Sequence, residues 1–297
     1  MALITRREAG KMLLTGCAGA LAAGRGLYGA AKVNSVFRGV QIGAQSYSFR
    51  DRPLDACIDA FRECGLGECE LSEIHVQPAS HKYEDLKKWR LETPISGFKE
   101  IREKFDRAGI LLWAYTCDMQ SRFGDEELDR CFQMAQALRV KYITSSANIS
   151  AAPRIDKLAQ KYKITVGFHG HDQTSRPDDF SSPETFERGL KGASKYLGIN
   201  LDIGHFVAAG GDPVAFLKEH HQQIVCLHIK DRKKNHGANV PFGQGETPIV
   251  EVLRMVRDNH WKFPANIEYE YGKENPGLDT IPEVKKCVEF CKKALEG

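Results

Sequence analysis

Eight short apolar or β-branched runs recur along the chain, and nothing else in the sequence restricts the fold as strongly. They read VQIGAQSYS (40–48), GECELSE (67–73), GILLWAYT (109–116), VKYITSSA (140–147), ITVGFHGH (164–171), GINLDIGH (198–205), IVCLHIKD (224–231) and ANIEYEY (265–271). Between them lie segments with helical periodicity, such as PLDACIDAFREC, ISGFKEIREKFDRAG, EELDRCFQMAQALR, AAPRIDKLAQKYK and TPIVEVLRMVRDNH. Strand followed by helix, eight times in succession, predicts a single-domain α/β fold of the (β/α)8 TIM barrel type over residues 38–295. A doubly wound sheet would carry a GxGxxG turn after its first strand, and none is present, so no nucleotide cofactor is expected.

The polar residues are sorted within these runs. A barrel interior is filled by apolar side chains, and catalytic barrels collect their chemistry at the C-terminal strand ends. Gln45 and Tyr47 close the first run, Glu70 and Glu73 the second, and His169 and His171 the fifth. Asp202 and His205 close the sixth; His228, Lys230 and Asp231 close the seventh, with Arg232 next along; Glu268 and Glu270 close the eighth. Side chains two apart on a strand share a face, so HGH sends two imidazoles towards one mouth.

Imidazole nitrogen and carboxylate oxygen are the ligands taken by one divalent ion such as Mn, Zn, Co or Fe. His169, Asp202, His228 and Glu268, from four consecutive strands, form the expected cage. Each has a plainer role open to it. A histidine after a strand can be a hydrogen-bonded loop residue, Asp202 can cap the following helix, and Glu268 and Glu270 can sit on a solvated edge. Their joint occurrence on four consecutive strands favours the metal.

In their order and spacing, LDIGH, LHIKD, FGQGE and NIEYE resemble the xylose isomerase-like barrels, the group of sugar isomerases, epimerases and endonuclease IV. The resemblance implies a metal held by a strand-5 Glu, a strand-6 Asp, a strand-7 His and a strand-8 Glu. Asp202, His228 and Glu268 match the last three, and His169 stands where the glutamate of a Leu-Glu-Asn-His stretch is expected. In the family's epimerases the two metal-bound glutamates move the protons, one on each face of the sugar. His169 breaks that symmetry and points to an asymmetric pair, with His169 on the metal and His171 as base.

The reaction this implies is proton abstraction next to a carbonyl through a metal-stabilised enediolate, with His171, Glu268, Lys230 and Glu270 as the catalytic groups. Re-protonation gives a sugar isomerase or epimerase. Loss of a β-substituent gives instead a lyase, or deglycosylase, acting on 3-keto glycosides. Substrate contacts are expected from His205, which is similar to the family's strand-6 histidine, and from Glu70, Tyr47, Trp113 and Arg232. Lys230 has an ion pair with Glu268 or Glu270 as its alternative, His205 the orienting of a ligand, and Trp113 a place in the core. Gly243 and Gly245 in FGQGE serve turn geometry first.

No phosphate-cradling loop stands out, so a free sugar, keto sugar or glycoside is the expected partner. A non-catalytic sugar-binding barrel is the rival from another class. An endonuclease IV-like phosphodiesterase shares the DxxH of Asp202 and His205, but TCDMQ (116–120) and DRKKNHGANVPF (231–242) lack the further ligands it needs.

The first 31 residues differ from the rest. Arg6-Arg7 precede a small-residue apolar stretch, MLLTGCAGALAAG (12–24), the layout of an export signal that resembles the twin-arginine type. A periplasmic or otherwise exported protein is expected; if the stretch is only a frayed helix, a cytoplasmic one. Of the 42 basic and 39 acidic residues, four basic (Arg6, Arg7, Lys11, Arg25) and one acidic (Glu8) fall in this segment, so the remainder is formally neutral. That balance argues against a nucleic-acid partner. No other stretch approaches a membrane span, and a homo-oligomer is compatible with such a barrel. The eight cysteines beyond Cys17 show no CxxC spacing and read as buried free thiols.

Overall fold

The computed structural model describes residues 31–272, 277 and 279–297. The export-signal segment, apart from Ala31, lies outside the described residues. All eight sequence runs form strands, labelled β2 to β9 because a short strand, β1 (Val36–Phe37), precedes them. That strand pairs antiparallel with β2 (Val40–Gln45) in a tight hairpin, with Val36 opposite Gln41. Two residues are too few to show a period, so the run pattern does not reveal it.

The barrel strands continue as β3 (Glu68–Leu71), β4 (Leu111–Thr116), β5 (Tyr142–Ser145), β6 (Thr165–His169), β7 (Leu197–Asp202), β8 (Ile224–Ile229) and β9 (Ala265–Ile267). Each is parallel to the next, and β9 pairs back with β2 through Ile42–Ala265 and Ala44–Ile267, which closes the sheet. The helices that cover it include α1 (Leu54–Glu63), α3 (Ile95–Ala108), α4 (Asp125–Ala137), α5 (Ala152–Tyr162), α9 (Ile249–Asp258) and α10 (Thr280–Glu296), with α2 (Tyr83–Glu92), α6 (Pro183–Leu190), α7 (Ile203–Ala208) and α8 (Pro213–His220) between them. Helix α9 shows the rule: Ile249, Val252, Leu253 and Val256 are buried at helical spacing against the sheet, and its polar positions face out. None of the described helices is long and apolar enough to cross a membrane.

The strands stop short of the runs that predict them. β2 gives way to a 3-10 turn at Ser46–Phe49, and Glu268 and Glu270 lie just past the end of β9. The reason at β9 is a substitution of partners. Ser48 Oγ donates to Ile267 O (3.0 Å) and accepts from the Tyr269 N–H (2.9 Å), replacing the ladder with a side chain. Chain direction is kept, so the polar residues still reach the mouth.

Register places the site. Asp202 pairs with His228 and His228 with Asn266, so inward positions on β7, β8 and β9 lie level with one another. Beneath them Glu68 is fully buried, and Gly43 on the closing strand makes room for it. A Cβ at residue 43 would lie 1.5 Å from Glu68 Oε2 and 2.6 Å from Asn266 Oδ1. All eight described cysteines are buried and unbridged, as free thiols should be in a core.

Candidate metal centre

Four side chains converge at the C-terminal mouth of β6 to β9. His228 is turned by its second nitrogen: Nε2 lies 2.9 Å from Glu70 Oε2, which leaves Nδ1 3.2 Å from Glu268 Oε2 and 3.9 Å from Asp202 Oδ2. His169 has the Ser146 hydroxyl 3.4 Å from Nδ1 and presents Nε2 3.6 Å from Asp202 Oδ2. Asp202 divides its oxygens. Oδ1 accepts the His205 N–H at 2.7 Å and caps α7, while Oδ2 faces the cluster. The capping role is thus taken by Oδ1, which leaves Oδ2 turned towards the other three groups.

The four inward atoms, His169 Nε2, Asp202 Oδ2, His228 Nδ1 and Glu268 Oε2, lie within 4.8 Å of one another. They are buried, and Lys230 faces two of them, Asp202 Oδ2 and Glu268 Oε2, as an ion-pair partner. Two imidazole nitrogens and two carboxylate oxygens turned to one point, the atom types that ligate Zn, Mn, Co or Fe, fit a divalent ion. The partners behind them, Glu70 and Ser146, fix which nitrogen each imidazole offers.

Lys230 supplies the balancing charge. Its ammonium is fully buried, 3.0 Å from Asp202 Oδ2 and 2.7 Å from both Glu268 Oε2 and Glu270 Oε2, with His205 Nε2 at 3.0 Å. Burial alone would lower the lysine's pKa, but the three carboxylates outweigh it and hold the ammonium charged. The ion pair that the sequence leaves open for Lys230 thus forms with three acids at once. His205 Nδ1 lies 2.6 Å from Arg232 Nη1, and Arg232 also pairs with Asp172 at 3.1 Å and donates to Gly237 O at 2.7 Å. His205 and Arg232 accordingly brace Lys230 and the β6 loop and do not line the open cavity. Asp172, next to His171, has no assigned part in the sequence reading; its role appears only when the loops after β6 and β8 meet.

The cavity above the cluster measures about 260 Å³, and its walls include Gln45, Tyr47, Glu73, Asp118, His171 and Glu270. His171 is half-buried, with its ring 4.7 Å from that of His169 and 5.0 Å from that of His205. Its N–H donates to Phe180 O at 3.0 Å and holds the loop. Burial, followed by His169, His205 and Lys230 around it, presses its imidazole pKa down to about 2, so the ring is neutral. Glu70 reaches the cavity floor, but its main partner is His228.

Trp113 is elsewhere. It stacks on Tyr142 at 4.9 Å and its Nε1 donates to Val225 O at 3.3 Å, inside the barrel below the mouth. Asp118 and Ser146 line the cavity without having been assigned a part from the sequence. TCDMQ carries the signal, a carboxylate two residues beyond Thr116, the polar end of β4. FGQGE is tied to Asp231, whose Oδ2 accepts from Gly243 N at 2.8 Å and Gly245 N at 2.9 Å. A Cβ at residue 245 would lie 1.9 Å from Asp231 Oδ1, so the close approach requires glycine.

Residues 58–293 match the family model described as the xylose isomerase-like TIM barrel. The chain belongs to that family. The chain is 24% identical over 195 residues to the rhizopine catabolism protein MocC of Rhizobium meliloti, covering 61% of this chain and 58% of that one. The match thus spans a little over half of that relative. Among solved structures it superposes on the IolI protein with a bound zinc atom at a TM-score of 0.66, with 15% identity over 86% of this chain and 98% of that one. The probable 3-DHS dehydratase AsbF of Bacillus anthracis gives 0.64, with 15% identity over 84% and 98%. An uncharacterised Parabacteroides distasonis protein gives 0.61, with 24% identity over 86% and 99%. At these identities the likeness is one of fold. Within this xylose isomerase-like barrel, the four side chains expected to form the cage, His169, Asp202, His228 and Glu268, do converge.

Proposed function

We propose that the chain is a divalent-metal-dependent enzyme that removes a proton next to the carbonyl of an uncharged sugar, working as an isomerase or epimerase. The observation that carries this reading is the set of four converging, buried ligand atoms with the imidazole of His171 beside them. When bound, the ion supplies electrostatic stabilisation of negative charge developing on the substrate oxygens. His171, neutral and half-exposed to the cavity, offers a lone pair to the carbon-bound proton. Glu270, 2.7 Å from Lys230 Nζ, stays ionised and orients a hydroxyl. Glu73 has its carboxyl pushed up to about 8 by burial and then by Asp118, so near neutral pH it donates a hydrogen bond to the substrate.

The cavity wall excludes phosphate from this reading. No described Lys or Arg lines it, whereas Glu70, Glu73, Asp118, Glu268 and Glu270 do. One observation favours a second reaction on the same site. With His169 in place of a glutamate, the converging cluster lacks a matched pair of glutamates, and elimination of a β-substituent from a 3-keto glycoside needs only one base. We place the protein outside the cytoplasm on the pattern of its first 31 residues.

The test is incubation of metal-loaded protein in heavy water with keto sugars and 3-keto glycosides. Deuterium entering the sugar, reduced at least a hundredfold in His171→Gln, is the expected result. Aglycone release would assign the lyase. Neither exchange nor release from a protein holding one metal per chain would overturn the enzymatic reading in favour of a sugar-binding barrel.

A further inference from the structure

The cavity over the ligands does not end at His171. A second cavity of about 410 Å³ adjoins it, sharing Asp118, Ser146, His169 and His171 as a common wall and extending over Gln120, Asn148, Gln173 and Arg176. The first, at about 260 Å³, falls below the ~300–1,000 Å³ usual for small-molecule sites. With the second it falls within that range.

The lining of the second lobe says what it suits. Among the described residues, the side chains of Gln120 and Gln173 make no hydrogen bond, so both amides can offer a donor and an acceptor each to neighbouring hydroxyls. Charge is matched within the wall: Arg176 lies 3.7 Å from Asp179, which also accepts from Asn148 Nδ2 at 3.1 Å. With Asp118 also on the wall, an anionic group finds no net positive charge from the acidic and basic side chains there. The aromatic residue on this wall, Phe180, is buried with its ring stacked on Phe168 at 4.6 Å, leaving no ring face for a flat aglycone. A polar, uncharged, hydroxyl-rich group fits, and it enters beside the metal cluster.

We infer that the second lobe is the subsite for a second sugar ring, so that the ligand is a disaccharide whose reacting ring lies over the metal cluster and whose linking oxygen passes His171. This rests on the sugar reading above. It also accounts for the half-exposure of His171, which stands at the junction of the two lobes.

The test is calorimetric titration of metal-loaded protein with a 3-keto hexose and with the 3-keto disaccharide carrying the same ring. The disaccharide is expected to bind at least tenfold more tightly. Gln120→Trp, which fills the lobe, removes that preference while leaving monosaccharide affinity within twofold. Gln173→Ala, at an exposed position with little risk to folding, reduces the preference severalfold. Equal affinity for the two sugars, or a fall in both affinities together in the variants with unchanged melting temperature, overturns the inference and leaves the sugar reading standing. Binding of neither sugar overturns both.

Discussion

Nε2 of His228 donates to Glu70 Oε2 across 2.9 Å, joining opposite sides of the barrel, and this bond decides which nitrogen of the imidazole faces the cluster. Burial would raise the Glu70 carboxyl, but His228 and hydrogen bonds from Thr144 and Asn266 outweigh it and hold it at about 2. It is therefore an ionised acceptor throughout the range in which the fold is expected to persist.

Removing that acceptor should loosen the metal without dismantling the barrel. Partners behind metal-bound histidines typically contribute about 10–100-fold in affinity. Glu70→Gln is expected to weaken zinc or manganese binding by that order, read by competition with a chromophoric chelator. Unchanged affinity would mean that the His228 ring is oriented by its packing alone.

Lys230 makes a different prediction, because it is the charge that three carboxylates share. Deleting one member of a buried ion pair typically costs ~3–5 kcal/mol, since the remaining charge is left uncompensated. Lys230→Met should lower the melting temperature of the metal-free protein strongly. A divalent ion brings its own positive charge to Asp202 and Glu268, so added metal should raise the melting temperature of the variant more than that of the wild type. An equal metal-induced shift in both proteins would sink this account.

What the sequence makes legible here follows from period and position. Asp202 pairs with His228, while His169 pairs with Asn200 and Glu268 lies two past Asn266, the partner of His228; the offsets are even, so all four share the inward face and their meeting follows from parallel register. The strand ends are less legible. Ser48 replaces the ladder at Tyr269, and no local pattern marks a side chain that stands in for a backbone partner. Asp172 and Arg232 meet because two long loops cross, and Trp113 turns inward to Val225 on a strand whose apolar alternation looks like the others. Contacts between loops distant in sequence leave no periodic trace.

Glu73 gives a pH prediction. Its folded-state pKa, about 8, lies above the 4.5 of a free glutamate, because burial and then Asp118 disfavour the charged form while Arg90 only partly opposes them. A group raised on folding contributes stability that is full below the unfolded value and is lost as pH rises through the folded one. Glu73→Gln cannot ionise. It should match the wild type near pH 4 and exceed it at pH 9, by about 1–2 kcal/mol after allowance for a partly wet mouth. At ~2–4 °C per kcal/mol for a chain of this size, the gap in melting temperature is several degrees, opening between pH 4.5 and 8. A gap of the same size at pH 4 would show that the effect is packing.

Gly43 and Glu68 test the layer beneath the site. A methyl group at residue 43 would meet Glu68 Oε2 at 1.5 Å, and Asn266, pressed by the same methyl at 2.6 Å, donates to Glu70 Oε2 at 3.0 Å. Gly43→Ala should therefore cost the ~1–3 kcal/mol typical of overpacking and also weaken metal binding, because the push passes from Asn266 to Glu70 and so to His228. If the clash with Glu68 is the cause, shortening that side chain relieves it. The Gly43→Ala, Glu68→Ala double variant should then be more stable than the two single changes add up to, by at least ~0.5 kcal/mol in a thermal-melt cycle. Strict additivity would place the strain in the β2 backbone, because the contact with Glu68 would then carry none of the cost.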